Sequence, residues 1–437
     1  MLLVYLPRET NRTKYIFRLL LGDLLGLGYK TTTDIETFKS YAGPRFSYCR
    51  MAPDEALHIT AHNLLFQRGI ETTETGFGHF EGLPILFKTF NPRSALPFDL
   101  FAASFFMVSR YEEYLPYRRD DYGRFSARES LAYQKDFLHR PVINIWSLIL
   151  KDVLQQHWPD LKFKLPVYRC EPTIDIDSAY SLHHKGFLRT IGGFGKSLRK
   201  LNLSEMALRA RVIAGTVPDP FDVFEQFHEL HNNLNLKPIY FILFADYGRF
   251  DKNVPIQNQA FRMLIKSLAD NAQVGIHPSY QSNNSFSILR REVGQFGTLL
   301  NTEITRSRQH FLKLDLPVTY RNLINLDITD DYSMGFAADA GFRAGICVSF
   351  NFYDLDLDTE TPLRIHPFTV MDGTMKDYLK LTNQQAVDFA VKLSNEVKAV
   401  GGVFSTLWHN ETYSETGRWI GWREVYSQIL ENAISLK

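Results

Sequence analysis

Hydrophobic and polar positions follow different patterns in the two parts of the chain. Up to about residue 164, apolar segments do not alternate regularly between strand and helix lengths, which predicts a mixed α+β domain rather than a series of βαβ units. A strand is predicted over residues 3–6, and helices are predicted over residues 14–27, 98–114 and 142–156.

From residue 172 onward, short apolar runs alternate with amphipathic segments, as in proteins with a parallel sheet or barrel. Strands are predicted over residues 173–177, 238–244, 274–278, 307–312, 326–328, 346–350, 363–370 and 403–407. Helices are predicted over residues 221–234, 260–271, 286–300, 318–325, 384–400 and 422–434. This alternation predicts a distorted seven-stranded β/α barrel over residues 166–437, preceded by a smaller α+β accessory domain over residues 1–165.

Three stretches that contain charged residues are typical of solvated surface, and two of them also have a functional interpretation. Residues 185–217 are either a helical insertion over a site or a solvated face, and they include Lys196, Arg199, Lys200, Arg209 and Arg211. The mixed-charge residues 118–124 are typical of a solvated surface loop. Phe342 and Arg343 either line a sugar subsite or belong to a turn with one solvated arginine.

Composition and charge mainly exclude certain classes of protein. The 437 residues are 45% hydrophobic and 22% charged, as is usual for a globular protein. A net charge of +1 argues against broad capture of nucleic acid or acidic membranes. The three cysteines are far apart and offer neither a disulfide framework nor a paired zinc motif. No signal peptide or membrane span is predicted, so we expect a cytoplasmic protein, with its oligomeric state open.

Asp175 and Asp177 lie at the end of the first strand predicted in the second part of the chain. Residues two apart on a strand share a face, so the two carboxylates point one way and the neighbouring isoleucines the other. Such a pair is unfavourable unless a cation or a proton offsets its charge. A metal or acid–base site is one interpretation, and a pair of solvated loop aspartates is the other.

Other chemically active side chains fall at or near the ends of later predicted strands. They are His277, Arg308, His310, Asp331 and His409. In α/β barrels the active site lies at the carboxyl ends of the strands. The shared position of these residues therefore favours a functional site over a set of unrelated surface residues.

Residues 172–437 resemble the polysaccharide deacetylases, the NodB-like carbohydrate esterases. Thr173-Ile174-Asp175-Ile176-Asp177 resembles the first motif of that family, with one residue inserted between the acids. The stretches around His277, Arg308, Asp331 and His409 are similar to the other four motifs. The first 165 residues resemble an accessory domain, for which no activity is implied.

The resemblance implies metal-dependent removal of N-acetyl groups from an amino-sugar polysaccharide or its precursor. Asp177 and His277 would bind a divalent metal, with zinc favoured. Asp175 would act as the base that takes a proton from water, and His409 would protonate the departing amine. Arg308 would keep Asp175 ionised and oriented. The implied partner is a carbohydrate.

The third metal ligand is open. The family has a second histidine four residues after the first, and here that position is Gln281, a poor zinc ligand. His310 or His366 could supply the missing nitrogen. The alternative is a packed histidine at position 310 and a loop histidine at position 366.

Two other functions are compatible with these residues. Gln281 favours a catalytically degenerate barrel that binds a glycan or a partner protein without hydrolysis. A metal-free glycosidase would use Asp175 together with another carboxylate. A tightly bound metal would distinguish the deacetylase from both.

Overall fold

The computed structural model describes residues 1–185 and 203–435. Lys196, Arg199 and Lys200 lie outside the described residues, as do all of residues 186–202 of the segment that was interpreted either as an insertion over a site or as a solvated face. The described strands are Leu2–Tyr5 (β1), Tyr29–Thr32 (β2), Arg45–Cys49 (β3), Leu57–Thr60 (β4), Gly78–Phe80 (β5), Leu83–Ile85 (β6), Arg169–Ile176 (β7), Ile239–Leu243 (β8), Gln273–His277 (β9), Arg306–Ser307 (β10), Asp330–Asp331 (β11), Phe350–Asp354 (β12), Thr359–Ile365 (β13), Val370–Met371 (β14) and Val403–His409 (β15).

The described α-helices connect these strands or cover the sheets. They are Asn11–Phe17 (α1), Ile35–Ser40 (α2), Leu100–Val108 (α3), Leu131–Gln134 (α4), Val142–His157 (α5), Leu203–Ile213 (α6), Phe224–Asn233 (α7), Gln259–Asn271 (α8), Phe286–Leu300 (α9), Val318–Ile324 (α10), Asn383–Val400 (α11) and Trp422–Ile434 (α12). Shorter helical turns include a π-helical turn at Thr374–Tyr378 and 3₁₀ turns at Tyr111–Tyr114 and His310–Leu312.

The first part of the chain forms a parallel four-stranded sheet with the order β2-β1-β3-β4. Helix α1 connects β1 to β2, and α2 connects β2 to β3, so the prediction of a mixed domain without βαβ units is wrong. Buried polar residues make these strands difficult to recognise from the sequence. Ser47 of β3 and His58 of β4 are buried and are hydrogen-bonded to each other at 2.8 Å, which interrupts the apolar pattern of both strands.

The second part of the chain forms a nine-stranded sheet with the order β12-β13-β11-β10-β9-β8-β7-β15-β14. All neighbouring strands are parallel except β12, which is antiparallel to β13. Among the described residues these pairings form an open series and not a closed ring, so the predicted seven-stranded barrel is not confirmed. The fold is a mixed α/β fold with one large sheet and helices around it.

Two predicted strands differ from the observed ones near the site. The strand predicted over residues 307–312 is only Arg306–Ser307, because Phe311 and Leu312 have φ angles of 60° and 53° and cannot continue an extended strand. The strand predicted over residues 326–328 lies instead at Asp330–Asp331. Both strands contain only two residues, which is too short for a hydrophobic pattern to define.

The two parts of the chain share one hydrophobic core. Its buried members include Val4 and Phe101 from the first part and Ile174, Ile176 and Trp408 from the second. No described helix is long and apolar enough to cross a membrane. The division at residue 165 remains a prediction, but the packing shows that the two parts are in extensive contact.

Arg343 forms part of this contact and is not a solvated residue of a turn. Its side chain is 2% exposed and donates two hydrogen bonds to Glu113, from Nε at 2.9 Å and from Nη2 at 2.6 Å. Arg110 donates to the same carboxylate at 2.7 Å. Arg343 therefore joins the two parts of the chain, and neither of its sequence interpretations describes this role.

Candidate active site

The parallel strands bring the predicted residues to one edge of the large sheet. In the β7–β15 pair, Asp175 lies opposite His409, and in the β8–β9 pair, Leu243 lies opposite His277. Strand β8 also pairs with β7, so that β15, β7, β8 and β9 end side by side. Since parallel strands present their carboxyl ends at a common edge, side chains from distant positions in the sequence meet there.

Asp177, His277 and His310 form a compact group in which one ligand atom from each side chain lies within 4.8 Å of the others. His277 Nε2 is 3.2 Å from Asp177 Oδ1, and His310 Nε2 is 3.5 Å from Asp177 Oδ2. Both imidazoles are buried, whereas 32% of the Asp177 side chain is exposed. The sequence indicated Asp177 and His277 as metal ligands and His310 as one of two candidates for the third, and the structure brings these three residues together.

The two histidines direct the same ring nitrogen toward Asp177. His277 Nδ1 is 2.5 Å from the backbone oxygen of Arg308. A carbonyl only accepts hydrogen bonds, so Nδ1 carries the proton and the lone pair of a neutral ring is on Nε2. His310 Nδ1 is 2.7 Å from the Asp251 carboxylate. In the neutral form of His310 the lone pair is therefore also on Nε2. Such partners typically orient histidines that bind metals.

The arrangement of these donor atoms fits a divalent metal. Asp177 Oδ1 is buried and has no hydrogen bond of good geometry, although His277 Nε2 is close to it. In their neutral forms the two imidazoles therefore direct lone pairs toward the same point as this carboxylate. Two imidazoles and one carboxylate suit zinc at an open catalytic site, and the same set also suits iron(II). The residues fit a metal, but they do not identify it.

The charges in this group are strongly coupled. Burial alone would raise the pKa of Asp177, but the positive charge of His310 and the close approach of both imidazoles hold it well below its usual value. Burial alone would lower the pKa of His310, but Asp177 and Asp251 raise it to about 9. Without a metal, His310 is therefore protonated at neutral pH, and a metal ion must displace that proton to bind Nε2.

Asp175 lies beside this group and is held from the opposite side by Arg308. Arg308 Nη1 donates to Asp175 Oδ1 at 2.8 Å and to Thr173 Oγ1 at 2.8 Å. Its Nε donates to the backbone oxygen of Tyr332 at 2.8 Å, and its guanidinium stacks on Phe241. Asp175 Oδ2 is left 3.6 Å from His277 Nε2, on the side of the candidate metal ligands.

His409 completes the edge and has its own carboxylate partner. Its Nδ1 is 2.8 Å from Asp372 Oδ1, and its Nε2 is 3.8 Å from Asp177 Oδ2. Asp372 also accepts hydrogen bonds from the His409 backbone N–H and from Thr412 Oγ1. Burial would lower the pKa of His409, but Asp372 first and then the other aspartates raise it well above its usual value.

These side chains line a cavity of about 230 Å³. One wall is polar and contains the two aspartates and three histidines described above. An apolar wall includes Phe311 and four members of one hydrophobic cluster, which are Leu312, Ala337, Met371 and Leu407.

Arg124 lines the same cavity, although it comes from the first part of the chain. It is 6% exposed, so the prediction of a solvated loop is wrong for this residue. Hydrogen bonds to Asp120, to the backbone oxygen of Phe311 and to Tyr378 account for its burial. A run of mixed charges in the sequence does not distinguish an arginine with three internal acceptors from a solvated one.

The structure separates the two candidates for the missing nitrogen. His310 joins the group, although it lies in a 3₁₀ turn and not in the predicted strand. His366 is hydrogen-bonded to Asp330 at 2.7 Å, is stacked on Tyr332, and does not line the cavity. Gln281 is exposed and also lies outside the cavity.

Two carboxylates of the site were not found from the sequence. Asp372 directly follows β14, as Asp177 directly follows β7, so its position at a strand end was an available signal. Asp251 lies in an irregular segment between β8 and α8, where no periodic pattern indicates its direction. Its role becomes visible only through its contact with His310.

Comparison with known proteins gives distant similarities. Residues 2–159 match a family of unknown function (DUF7033). No curated protein matches the chain. Among solved structures, the chain is similar to a candidate polysaccharide deacetylase from Mycobacterium smegmatis, with 12% identity and a TM-score of 0.39 over 60% of this chain and 84% of that one.

Two further structures have comparable similarity. PuuE allantoinase has 12% identity and a TM-score of 0.39, over 74% of this chain and 93% of that one. A mutant of BA3943, a CE4-family pseudoenzyme with restored enzymatic activity, has 13% identity and a TM-score of 0.28, over 64% and 77% of the respective chains. These similarities are too remote to assign an activity to this chain.

Proposed function

We propose that the chain is a metal-dependent hydrolase that removes N-acetyl groups from an amino-sugar polysaccharide or its precursor. The observation that carries the proposal is the convergence of His277 Nε2, His310 Nε2 and the Asp177 carboxylate on one point. Asp175 and His409 flank that point and supply a second carboxylate and a third imidazole. The amino-sugar class is supported by the motif resemblance alone.

A divalent metal held by Asp177, His277 and His310 would act as a Lewis acid toward an amide carbonyl and a water molecule. Asp175 accepts the proton of the attacking water through Oδ2, because Oδ1 is occupied by Arg308. The Arg308 contact keeps the Asp175 carboxylate in one orientation while it acts as a base.

His409 protonates the departing amine from Nε2. Its Nδ1 is held by Asp372, and this carboxylate stabilises the imidazolium form. The raised pKa of His409 favours the protonated form that an acid requires. The apolar wall around Leu312, Met371 and Leu407 accommodates the methyl group of the acetamide.

A non-hydrolytic barrel is less well supported by the same residues. Gln281 favoured that alternative because a metal ligand was absent from its expected position. Gln281 is exposed and lies away from the cavity, and His310 directs a ring nitrogen toward Asp177 instead. The loss of the expected histidine is therefore compensated within the group.

Metal binding and acetate release test the proposal together. The protein is stripped with a chelator and titrated with Zn²⁺ and Co²⁺, and acetate release from chitooligosaccharides is then measured. We expect Asp177→Asn to abolish metal binding and activity. We expect Asp175→Asn to retain the metal but to lose activity about 10²-fold to 10⁴-fold, as for the loss of a general base.

Asp246→Asn is the matched control, because Asp246 follows the neighbouring strand β8 but is 64% exposed and pairs with Arg291. We expect this variant to behave like the unmodified protein. Failure of the unmodified protein to bind any divalent metal, or full acetate release after complete metal removal, would contradict the proposed function.

A further inference from the structure

Arg124 connects three separate segments at the cavity wall. Its Nε donates to Asp120 Oδ2 at 2.7 Å, its Nη1 donates to the backbone oxygen of Phe311 at 2.9 Å, and its Nη2 lies 3.4 Å from the Tyr378 hydroxyl. Each nitrogen of the guanidinium thus has an acceptor. Asp120 belongs to the same segment as Arg124, whereas the other two acceptors belong to the second part of the chain.

The Phe311 contact is made to an unusual turn. Phe311 and Leu312 are consecutive non-glycine residues with φ angles of 60° and 53°, a conformation that L-residues adopt unfavourably. A turn of this kind persists only when its surroundings hold it in place. His310, a candidate metal ligand, is the residue that begins this turn.

Aromatic packing holds the same turn from the first part of the chain. The Tyr122 ring lies 5.1 Å from the Phe311 ring, and the Arg124 guanidinium lies 4.9 Å from the Tyr122 ring. The Tyr280 hydroxyl donates to the backbone oxygen of Tyr122 at 3.0 Å. The segment that carries Arg124 is therefore fastened to the site by side-chain and backbone contacts.

We propose that Arg124 is a positioning residue for His310, so that residues 120–124 complete the metal site of the second part of the chain. Arg124 fixes the carbonyl of Phe311, which keeps the turn in its left-handed conformation. That conformation places His310 between Asp251 and Asp177. The N-terminal part is thus a component of the active site, an inference that depends on the proposed metal-binding function.

The experiment compares the Zn²⁺ affinity of the full chain and of Arg124→Met, measured by competition with a chelating indicator. Loss of a group that orients a metal ligand lowers affinity about 10-fold to 100-fold, and we expect a decrease in that range. Hydrogen exchange of a peptide covering residues 306–314 provides a second readout. The Leu312 amide, which donates to the Gln309 oxygen, is expected to exchange faster in the variant.

Arg119→Met is the control, because Arg119 directly precedes residues 120–124 but is 45% exposed and pairs with Asp315. We expect this variant to keep normal affinity and normal exchange. Equal affinity in Arg124→Met and the unmodified protein would overturn the inference, and so would an equal loss in both variants. If Arg124→Met does not fold, Arg124→Leu replaces it, because leucine also lacks a donor for the Phe311 oxygen, and an unchanged affinity in that variant is equally contrary to the inference.

The two proposals fail in different ways. If the unmodified protein binds no divalent metal, the proposed function is wrong, and the inference fails with it. If the unmodified protein binds Zn²⁺ and releases acetate while Arg124→Met retains full affinity, only the inference about Arg124 is wrong.

Discussion

The three histidines of the site share one arrangement at the level of single atoms. In each of them Nδ1 contacts an oxygen acceptor outside the cavity wall, and Nε2 faces Asp177. The partners differ in charge, however. A carbonyl holds His277, whereas carboxylates hold His310 and His409. Carboxylate partners favour the imidazolium form. This form suits the acid role proposed for His409, and the proposed metal binding at His310 would require release of a proton.

Glu292 is a buried acid behind the site whose charge affects stability. It is 2% exposed and accepts a hydrogen bond from the Ser279 backbone N–H at 2.9 Å. Burial raises its pKa from 4.5 to about 7. Between these two pH values the unfolded chain loses the proton while the folded chain keeps it, so stability falls as the pH rises through this interval.

We expect Glu292→Gln to remove this pH dependence, because glutamine keeps an acceptor for Ser279 without ionising. The decrease in the free energy of unfolding from pH 4.5 to 7 should become smaller by up to about 3 kcal/mol. Urea denaturation of the metal-free protein at several pH values measures it. Glu303→Gln, at an exposed position, is the control, and an identical pH dependence in both variants would contradict the assignment.

Sequence reasoning found the residues whose chemistry is visible from their type and their position at strand ends. It identified Asp175, Asp177, His277, Arg308, His310 and His409, all of which contribute to the observed cluster. It did not find Asp251 or Arg124, because their roles depend on contacts between irregular segments. Hydrophobic periodicity carries no information about which way a side chain points in such segments.

At the level of elements, the close packing of β9 against its neighbours determines where His277 lies. A Cβ atom added at Gly275 would be 2.7 Å from Phe241 Cε1 and 2.9 Å from the backbone oxygen of Arg306. Phe241 is on β8 and Arg306 is on β10, so a side chain at this position would push β9 away from both strands. His277, two residues later on β9, would move with it.

We therefore expect Gly275→Ala to destabilise the protein by about 1–3 kcal/mol, the usual effect of overpacking, and to weaken Zn²⁺ binding. Urea denaturation and the indicator titration measure the two effects. Gly294→Ala is the control, because Gly294 lies in α9 and a Cβ there meets no atom within 4 Å. In that variant stability should rise by up to about 1 kcal/mol. A neutral Gly275→Ala would show that β9 tolerates displacement.

The elements that the sequence predicted well are those in which the hydrophobic pattern continues over several residues. Helices α5, α9, α11 and α12 and strands β7, β8, β9 and β15 lie within a few residues of their predicted positions. Strands β10, β11 and β14 contain only two residues each, and backbone pairing with longer neighbours defines them more than their own side chains do. Such strands require tertiary context to be recognised.

For the molecule as a whole, the buried ion group of Glu113, Arg110 and Arg343 is a principal polar contact between the two parts of the chain. Both oxygens of Glu113 accept from Arg343, and Arg110 also donates to the backbone oxygen of Arg343. Burial would raise the pKa of Glu113, but Arg343 and then Arg110 hold it below its usual value. The group is therefore ionised and internally paired.

We expect Glu113→Gln to destabilise the protein by about 3–5 kcal/mol, because it leaves two buried arginines without their shared carboxylate. Thermal and urea unfolding measure the loss. Glu36→Gln, at a position that is 79% exposed, should change stability by less than about 1 kcal/mol. If Glu113→Gln shifts only one of two separate unfolding transitions, the two parts do not unfold as one unit.

The sequence predicted the architecture of the second part of the chain better than that of the first part. Alternation of apolar strands and amphipathic helices from residue 172 onward indicated parallel strands with helices around them, but the seven-stranded barrel that it predicted is not confirmed. The nine-strand order and the antiparallel β12 were not predicted, because pairing partners are set by contacts far apart in the chain. The parallel sheet of the first part was missed because buried polar pairs such as Ser47 and His58 interrupt its pattern.

The position of β15 between β7 and β14 also has a consequence for the order of assembly during synthesis. Asp177, His277 and His310 have all left the ribosome long before β15, the last described strand, which carries His409. Since chains fold from the N-terminus as they emerge, the three candidate metal ligands are available while the edge of β7 is not yet paired with β15. Under the proposed function, the metal site would therefore form before the residue that acts as the acid is synthesised.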